Sequence, residues 1–192
     1  MRRQRRNKTF LLVLALLLVG VGYAALSSNL NINGTTKVSA TIWDVHFENV
    51  AATSLSNVTP STAPSAPAES KVTTLTYAVT LVKPGDIYEF TVDVKNAGTL
   101  DAMLSSFTNQ IKVGSGAWQA VDSSSVPGYL IYSVTYSDDT TITENSKLTA
   151  GSSKKIKIHV EFNPDITNAQ LSEAAGKTIY FQVAMNYVQS TV

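Results

Sequence analysis

Two short patterns carry the residue types that could do shared chemistry. His46 and Glu48 lie two apart, and His159 and Glu161 repeat the spacing. In an extended chain this puts each histidine and its carboxylate on one face. If the two strands were neighbours, both pairs would converge on a divalent cation, with Asp44 nearby. The same residues also read as the solvated faces of two amphipathic strands. Neither histidine sits in a helical H-E-x-x-H zinc motif, which counts against a conventional metalloprotease.

Other chemistry is sparse. Asp138, Asp139 and Glu144 form an acidic stretch with oxygen ligands suited to Ca²⁺, but their spacing matches no EF-hand loop and reads as a polar hairpin turn. The chain has no Cys, no G-x-S-x-G elbow and no phosphate-cradling glycine loop. Trp43 and Trp118 alternate with apolar neighbours, which assigns them to core packing rather than to a ligand platform. The expectation is a chain that is not an enzyme, with no catalytic residue and no cofactor. A hydrolase using His46, Glu48, His159 and Glu161 as metal ligands is the remote alternative.

The elements that would position these residues begin with a leader. Arg2, Arg3, Arg5, Arg6 and Lys8 precede an apolar run from Phe10 to Leu26, and the rest of the chain is polar and strand-like. A basic head before an apolar segment marks a signal peptide or an N-terminal membrane anchor, here residues 1–25, and the arginines keep that end inside. The run is at the lower edge of what spans a bilayer. Gly22, Tyr23, Ala24 and Ala25 supply the small residues that a signal peptidase needs. Cleavage after Ala24 puts Gly22 at the −3 position, whereas cleavage after Ala25 puts Tyr23 there. Cut or uncut, the remainder is expected outside the cytoplasmic membrane, secreted or at the cell surface. A disulfide-free exported domain suits a Gram-positive envelope.

Beyond the leader, ten Lys face fourteen Asp and Glu, a net charge of −4, and no Arg remains. That excludes a nucleic-acid partner, since neutralising phosphates needs a basic face. Residues 26–192 are long enough for one domain with a real core. Period-two alternation recurs at Trp43–Glu48, Leu75–Leu81, Tyr88–Val94, Leu130–Tyr136, Ile156–Phe162 and Ile179–Tyr187. Turn signals separate these runs: Lys83-Pro84-Gly85-Asp86 suits a type II turn, and Gly114-Ser115-Gly116 suits a hairpin. One short helix is expected, capped by Asp165 or Thr167 and ended by Gly176. Residues 53–70, rich in Ser, Thr, Ala and Pro, read as a long exposed loop with no packed element. The fold class is therefore all-β: a two-sheet antiparallel sandwich, jelly-roll-like, with one short helix near its C-terminus and a hydrophobic leader helix before it.

Two blocks carry a family resemblance. One is Gly22-Tyr23-Ala24 running on to Leu30-Asn31-Ile32-Asn33-Gly34-Thr35. The other is Val82-Lys83-Pro84-Gly85-Asp86 followed by Phe90 to Ala102, which includes Asn96-Ala97-Gly98-Thr99-Leu100-Asp101-Ala102. Together they resemble the camelysin/TasA family of Gram-positive surface and biofilm-matrix proteins, processed by a dedicated signal peptidase. The resemblance implies a jelly-roll sandwich whose subunits, or related surface subunits, polymerise into extracellular fibres by donating an N-terminal strand. Carried over, the donor spans Leu26 to Gly34 and includes Leu30 and Ile32. A protease activity has been ascribed within the family, and no catalytic residue maps onto this chain. Leu26 to Ile32 also reads as an edge strand of its own sheet. A membrane-anchored binding or adhesion module is the alternative to a fibre subunit.

Overall fold

The computed structural model describes residues 41–122, 124–174 and 176–190. The leader, the cleavage region Gly22–Ala25 and the donor segment Leu26–Gly34 lie outside the described residues. Among the described residues, nine strands form two antiparallel sheets: β1 (Val45–Ala52), β2 (Thr74–Val79), β3 (Ile87–Asn96), β4 (Ala102–Val113), β5 (Gln119–Ala120), β6 (Leu130–Tyr136), β7 (Lys147–Leu148), β8 (Ser153–Phe162) and β9 (Ile179–Gln189). The first sheet has the order β1-β3-β8-β6. The second has the order β2-β9-β4-β5, with β7 also paired to β4.

The sheets meet through the apolar half of each alternation. Phe90, Val92, Ile156, Ile158 and Val160 of the first sheet, and Leu75, Tyr77, Phe181 and Val183 of the second, have no exposed surface. Tyr77 meets the ring of Phe90 edge-on at 4.9 Å, and Tyr132 lies 4.7 Å from Phe181, so aromatic contacts cross between the layers. The Tyr77 hydroxyl donates to Tyr132 Oη at 3.3 Å, and the Tyr132 hydroxyl donates to Asn109 Oδ1 at 2.7 Å. Burial pushes both phenols above their ordinary range.

Local chemistry sets the turns. Asp86 N–H donates to Lys83 O at 3.0 Å while Gly85 holds φ at 84°, the positive angle that the second central position requires. Asp86 is buried there, and its carboxylate accepts from the N–H groups of Val82 and Lys83. The helix α1 (Asn168–Ala174) opens on a capping box. Thr167 Oγ1 accepts from Gln170 N–H, and Gln170 Oε1 accepts from Thr167 N–H. Thr167 is therefore the cap, not Asp165, whose N–H goes to Asn163 Oδ1.

One expectation is refined and one is corrected. Residues 53–70 form the expected long, mostly exposed loop, but as a strap tied to the sheets and not a segment without packing. Thr62 exchanges two backbone hydrogen bonds with Ala78 of β2, Pro64 and Ala66 are buried, and a 3₁₀ turn spans Ala68–Ser70. The prolines are tolerated because Thr53, Asn57, Val58 and Thr62 supply the donors. Trp43 is 44% exposed, so it is not a core residue. It precedes β1.

Candidate functional site

The two His/Glu pairs share a sheet face and do not converge. The strand β3 lies between β1 and β8. His46 sits opposite Lys95, whereas His159 sits opposite Glu89. Those β3 positions are six residues apart, roughly 20 Å at the rise of a strand. The arrangement that would place all four side chains around one ion is absent, because it needs β1 and β8 to be neighbours.

Each histidine instead has a carboxylate on both ring nitrogens. His46 Nδ1 lies 2.7 Å from Asp44 Oδ1, and its Nε2 lies 3.7 Å from Glu48 Oε2. Lys71 Nζ closes the cluster at 2.6 Å from Asp44 Oδ2. That ammonium, together with the His46 hydrogen bond and against the opposing effect of burial, holds the Asp44 carboxyl below its ordinary range. His159 Nδ1 lies 2.9 Å from Glu89 Oε2, and its Nε2 lies 3.2 Å from Glu161 Oε2. Glu89 is buried, and its other oxygen accepts from Thr53 Oγ1 at 2.9 Å. The second cluster thus clips the start of the 53–70 strap to β3 and β8. Neither imidazole keeps a nitrogen without a carboxylate partner, and among the described residues no group of three or more His, Asp or Glu is placed to hold a metal ion.

The acidic stretch at residues 138–144 is a turn. Asp138 Oδ1 accepts from both the N–H and the hydroxyl of Thr140, which pulls its carboxyl below the ordinary range, and Asp139 adopts φ 66° and pairs with Lys157. Glu144 is exposed and apart.

A feature that alternation did not reveal lies at the edge of the second sheet. The strand β9 pairs with β4 along its whole length, Ile179–Gln189, but β2 covers it only from Ile179 to Ala184. The last hydrogen bond on the β2 side is Met185 N–H to Thr73 O, at 3.3 Å. By the alternation of an antiparallel ladder, the backbone groups of Tyr187 and Gln189 point the same way. Among the described residues no strand pairs with them there. Across the seam, the outer edge of β1 is held, among the described residues, by Phe47 N–H to Val72 O at 2.8 Å. A small, mostly apolar hollow lies between the two edges, lined by Val45, Phe47, Val94, Met185 and Tyr187 together with His46 and Thr73. Ile42, Trp43 and Val188 are exposed apolar residues of the chain segments that run into this seam. The sequence signal was the mismatch in length between Leu75–Leu81 and Ile179–Tyr187, which becomes informative only once the two are known to pair.

Among the described residues no helix is long and apolar enough to cross a membrane. No family model, curated protein or solved structure matches the chain. What the described residues define is a β-protein with two clamped histidines and an incompletely covered sheet edge.

Proposed function

We propose that this chain is a non-enzymatic extracellular structural protein, a subunit of cell-surface or biofilm-matrix fibres. Its fold, on this reading, is a β-sandwich of jelly-roll type. In support, every step between consecutive strands except β4 to β5 passes from one sheet to the other. The leader directs export, a signal peptidase cuts near Ala24, and the freed Leu26–Gly34 segment pairs with an open sheet edge of a neighbouring subunit.

The observation that carries this reading is the stretch of β9 beyond Met185 that no strand among the described residues covers, beside the mostly apolar hollow. An exposed strand edge is a template for β-augmentation: main-chain hydrogen bonds give affinity, and alternate side chains fill pockets. The alternation of Leu26, Ser28, Leu30 and Ile32 suits such a slot, because one face of the incoming strand would be apolar.

The test begins with mass spectrometry of the native N-terminus, which should start at Ala25 or Leu26. An intact Met1 or Arg2 would favour the tethered module instead. Processed protein should then form filaments above a threshold concentration by electron microscopy. Substituting Ile32→Asp should abolish filaments without changing the thermal midpoint of the monomer. Processed protein that stays monomeric under all assembly conditions overturns the proposal.

A further inference from the structure

The block Asn96-Ala97-Gly98-Thr99-Leu100-Asp101-Ala102, which joins β3 to β4, holds both ends of the described chain. On one side it receives the entering segment. Ala97 N–H donates to Asp44 O at 2.8 Å, and Thr99 N–H donates to Ile42 O at 2.9 Å. Ile42 N–H donates back to Thr99 Oγ1 at 3.0 Å. On the other side it receives the leaving segment, since Ser190 N–H donates to Asp101 O at 2.8 Å. Entry and exit are thus bound to neighbouring residues of one short stretch of backbone.

The residue types of the block suit this double attachment. The Asn96 side chain frames the stretch from inside. It donates to Leu100 O and Leu148 O and accepts from Gly98 N–H, so residues 98–100 cannot shift without breaking bonds of a fully buried amide. Gly98 is buried against the entering chain, where an added Cβ would lie 2.5 Å from Ile42 O. The Asp101 carboxylate accepts from Ala150 N–H at 2.9 Å and pairs with Lys147 at 2.8 Å, which ties the exit side to β7 and the turn after it. By contrast, Ile42 and Trp43 are 50% and 44% exposed. The entering segment has little apolar burial of its own, and its order rests on the bonds to this block.

We propose that Asn96–Ala102 is a clasp: a conformational device that holds residues 41–44 and the end of β9 as one cooperative unit and opens as one while both sheets stay folded. A segment with few buried apolar contacts opens at lower free energy than a core strand. Because the Asn96 amide grips Gly98 and Leu100 on either side of Thr99, a displacement at Thr99 reaches Asp101 and, through it, Ser190. The closed clasp makes Ile42 the point at which the preceding segment leaves the domain. That point lies beside the uncovered backbone of Tyr187 and Gln189, whose partners on β4 are Leu104 and Ala102. On the fibre reading, on which this last step alone rests, the clasp links the departure point of the donor segment to the acceptor edge.

The experiment is amide hydrogen exchange, read residue by residue by NMR on the unassembled full chain in mild detergent. In the parent, Ile42, Ala97, Thr99 and Ser190 should exchange at a common protection level, below that of Val92, Ile158 and Phe181. Thr99→Ala removes the hydroxyl that receives Ile42 and does not touch Ser190. It should speed exchange at both Ile42 and Ser190 at least tenfold and leave Val92, Ile158 and Phe181 within twofold of the parent. Thr99→Ser, which keeps the hydroxyl, should match the parent, and Gly98→Ala should reproduce the Thr99→Ala pattern from the other contact. Faster exchange at Ile42 with Ser190 unmoved would mean two unrelated contacts and overturns the proposal. So does an equal rise at the core amides, which would mean global opening, or no change at either end. Filament formation is scored separately, so failure here and failure of the fibre reading are distinguishable.

Discussion

Asn96 shows how one side chain can tie the two layers together. It ends β3 with no exposed surface. Its Nδ2 donates to Leu100 O at 2.9 Å and to Leu148 O of β7 at 3.0 Å, while its Oδ1 accepts from Gly98 N–H at 3.1 Å. A buried polar group stripped of its partner costs more than the bond contributed, so Asn96→Ala should lower stability by about 3 kcal/mol, read from the shift in urea midpoint. Gly98 beside it has no room for a side chain: an added Cβ would lie 2.5 Å from Ile42 O and 3.0 Å from Asp44 N. Carboxylates near the same end set the acid limit. Asp44, paired first with Lys71, and Asp101, paired first with Lys147, both titrate below the ordinary aspartate value of 3.8. A depressed folded value means that their stabilisation is complete above the unfolded value and is lost as the pH falls through the folded one. The thermal midpoint should therefore change little down to about pH 5 on their account and fall below about pH 4. In Asp44→Asn the midpoint should be lower at neutral pH and the acid fall shallower, as a series of melts across pH would show.

At the scale of elements, turns and caps are local devices and their costs are local. Gly85→Ala would force a Cβ into φ 84°, and the expected loss is about 1 kcal/mol, read by chemical denaturation. Thr167→Ala removes the hydroxyl of the α1 capping box and should also cost about 1 kcal/mol. These features were legible in the sequence for the same reason: Pro-Gly turns, caps and period-two runs are written in neighbouring residues. The strands β3, β6, β8 and β9 were readable because each carries an unbroken alternation, and β1 because it alternates up to Glu48, where its register shifts. The strand β4 was mostly missed. A register shift between Leu104 and Ser106 reverses its parity, and Asn109 faces inward to meet Tyr132, so no single period runs through it. The loop at residues 53–70 was legible, but its anchoring was missed, because that comes from backbone bonds to β2 and β3, which composition does not encode. For the candidate site, the i, i+2 spacing correctly put each histidine beside a carboxylate. That β3 separates them is a property of strand order, which depends on contacts far apart in sequence.

For the whole molecule, the core raises the question of how much the first forty residues contribute to folding. The apolar cluster of buried side chains runs from Phe47 to Met185 and draws on both sheets. A chain of residues 41–192 should therefore fold and unfold in one cooperative transition, with the β9 edge beyond Met185 open. If that edge accepts the Leu26–Gly34 strand, a synthetic peptide of that sequence should bind the truncated chain and raise its thermal midpoint. The stabilisation should grow with the logarithm of peptide concentration above the dissociation constant, reaching about 2.7 kcal/mol at a hundredfold excess over it. A peptide with Leu30→Pro should give no shift, since proline lacks the ladder donor and restricts the extended backbone. Substituting Tyr187→Pro in the truncated chain should block the same response from the other side, because it removes an N–H that points into the slot. A truncated chain that folds but whose midpoint is unmoved by the native peptide would show that the uncovered edge is not the acceptor. Equal shifts from the native and proline peptides would show that the binding is apolar adsorption, not strand pairing.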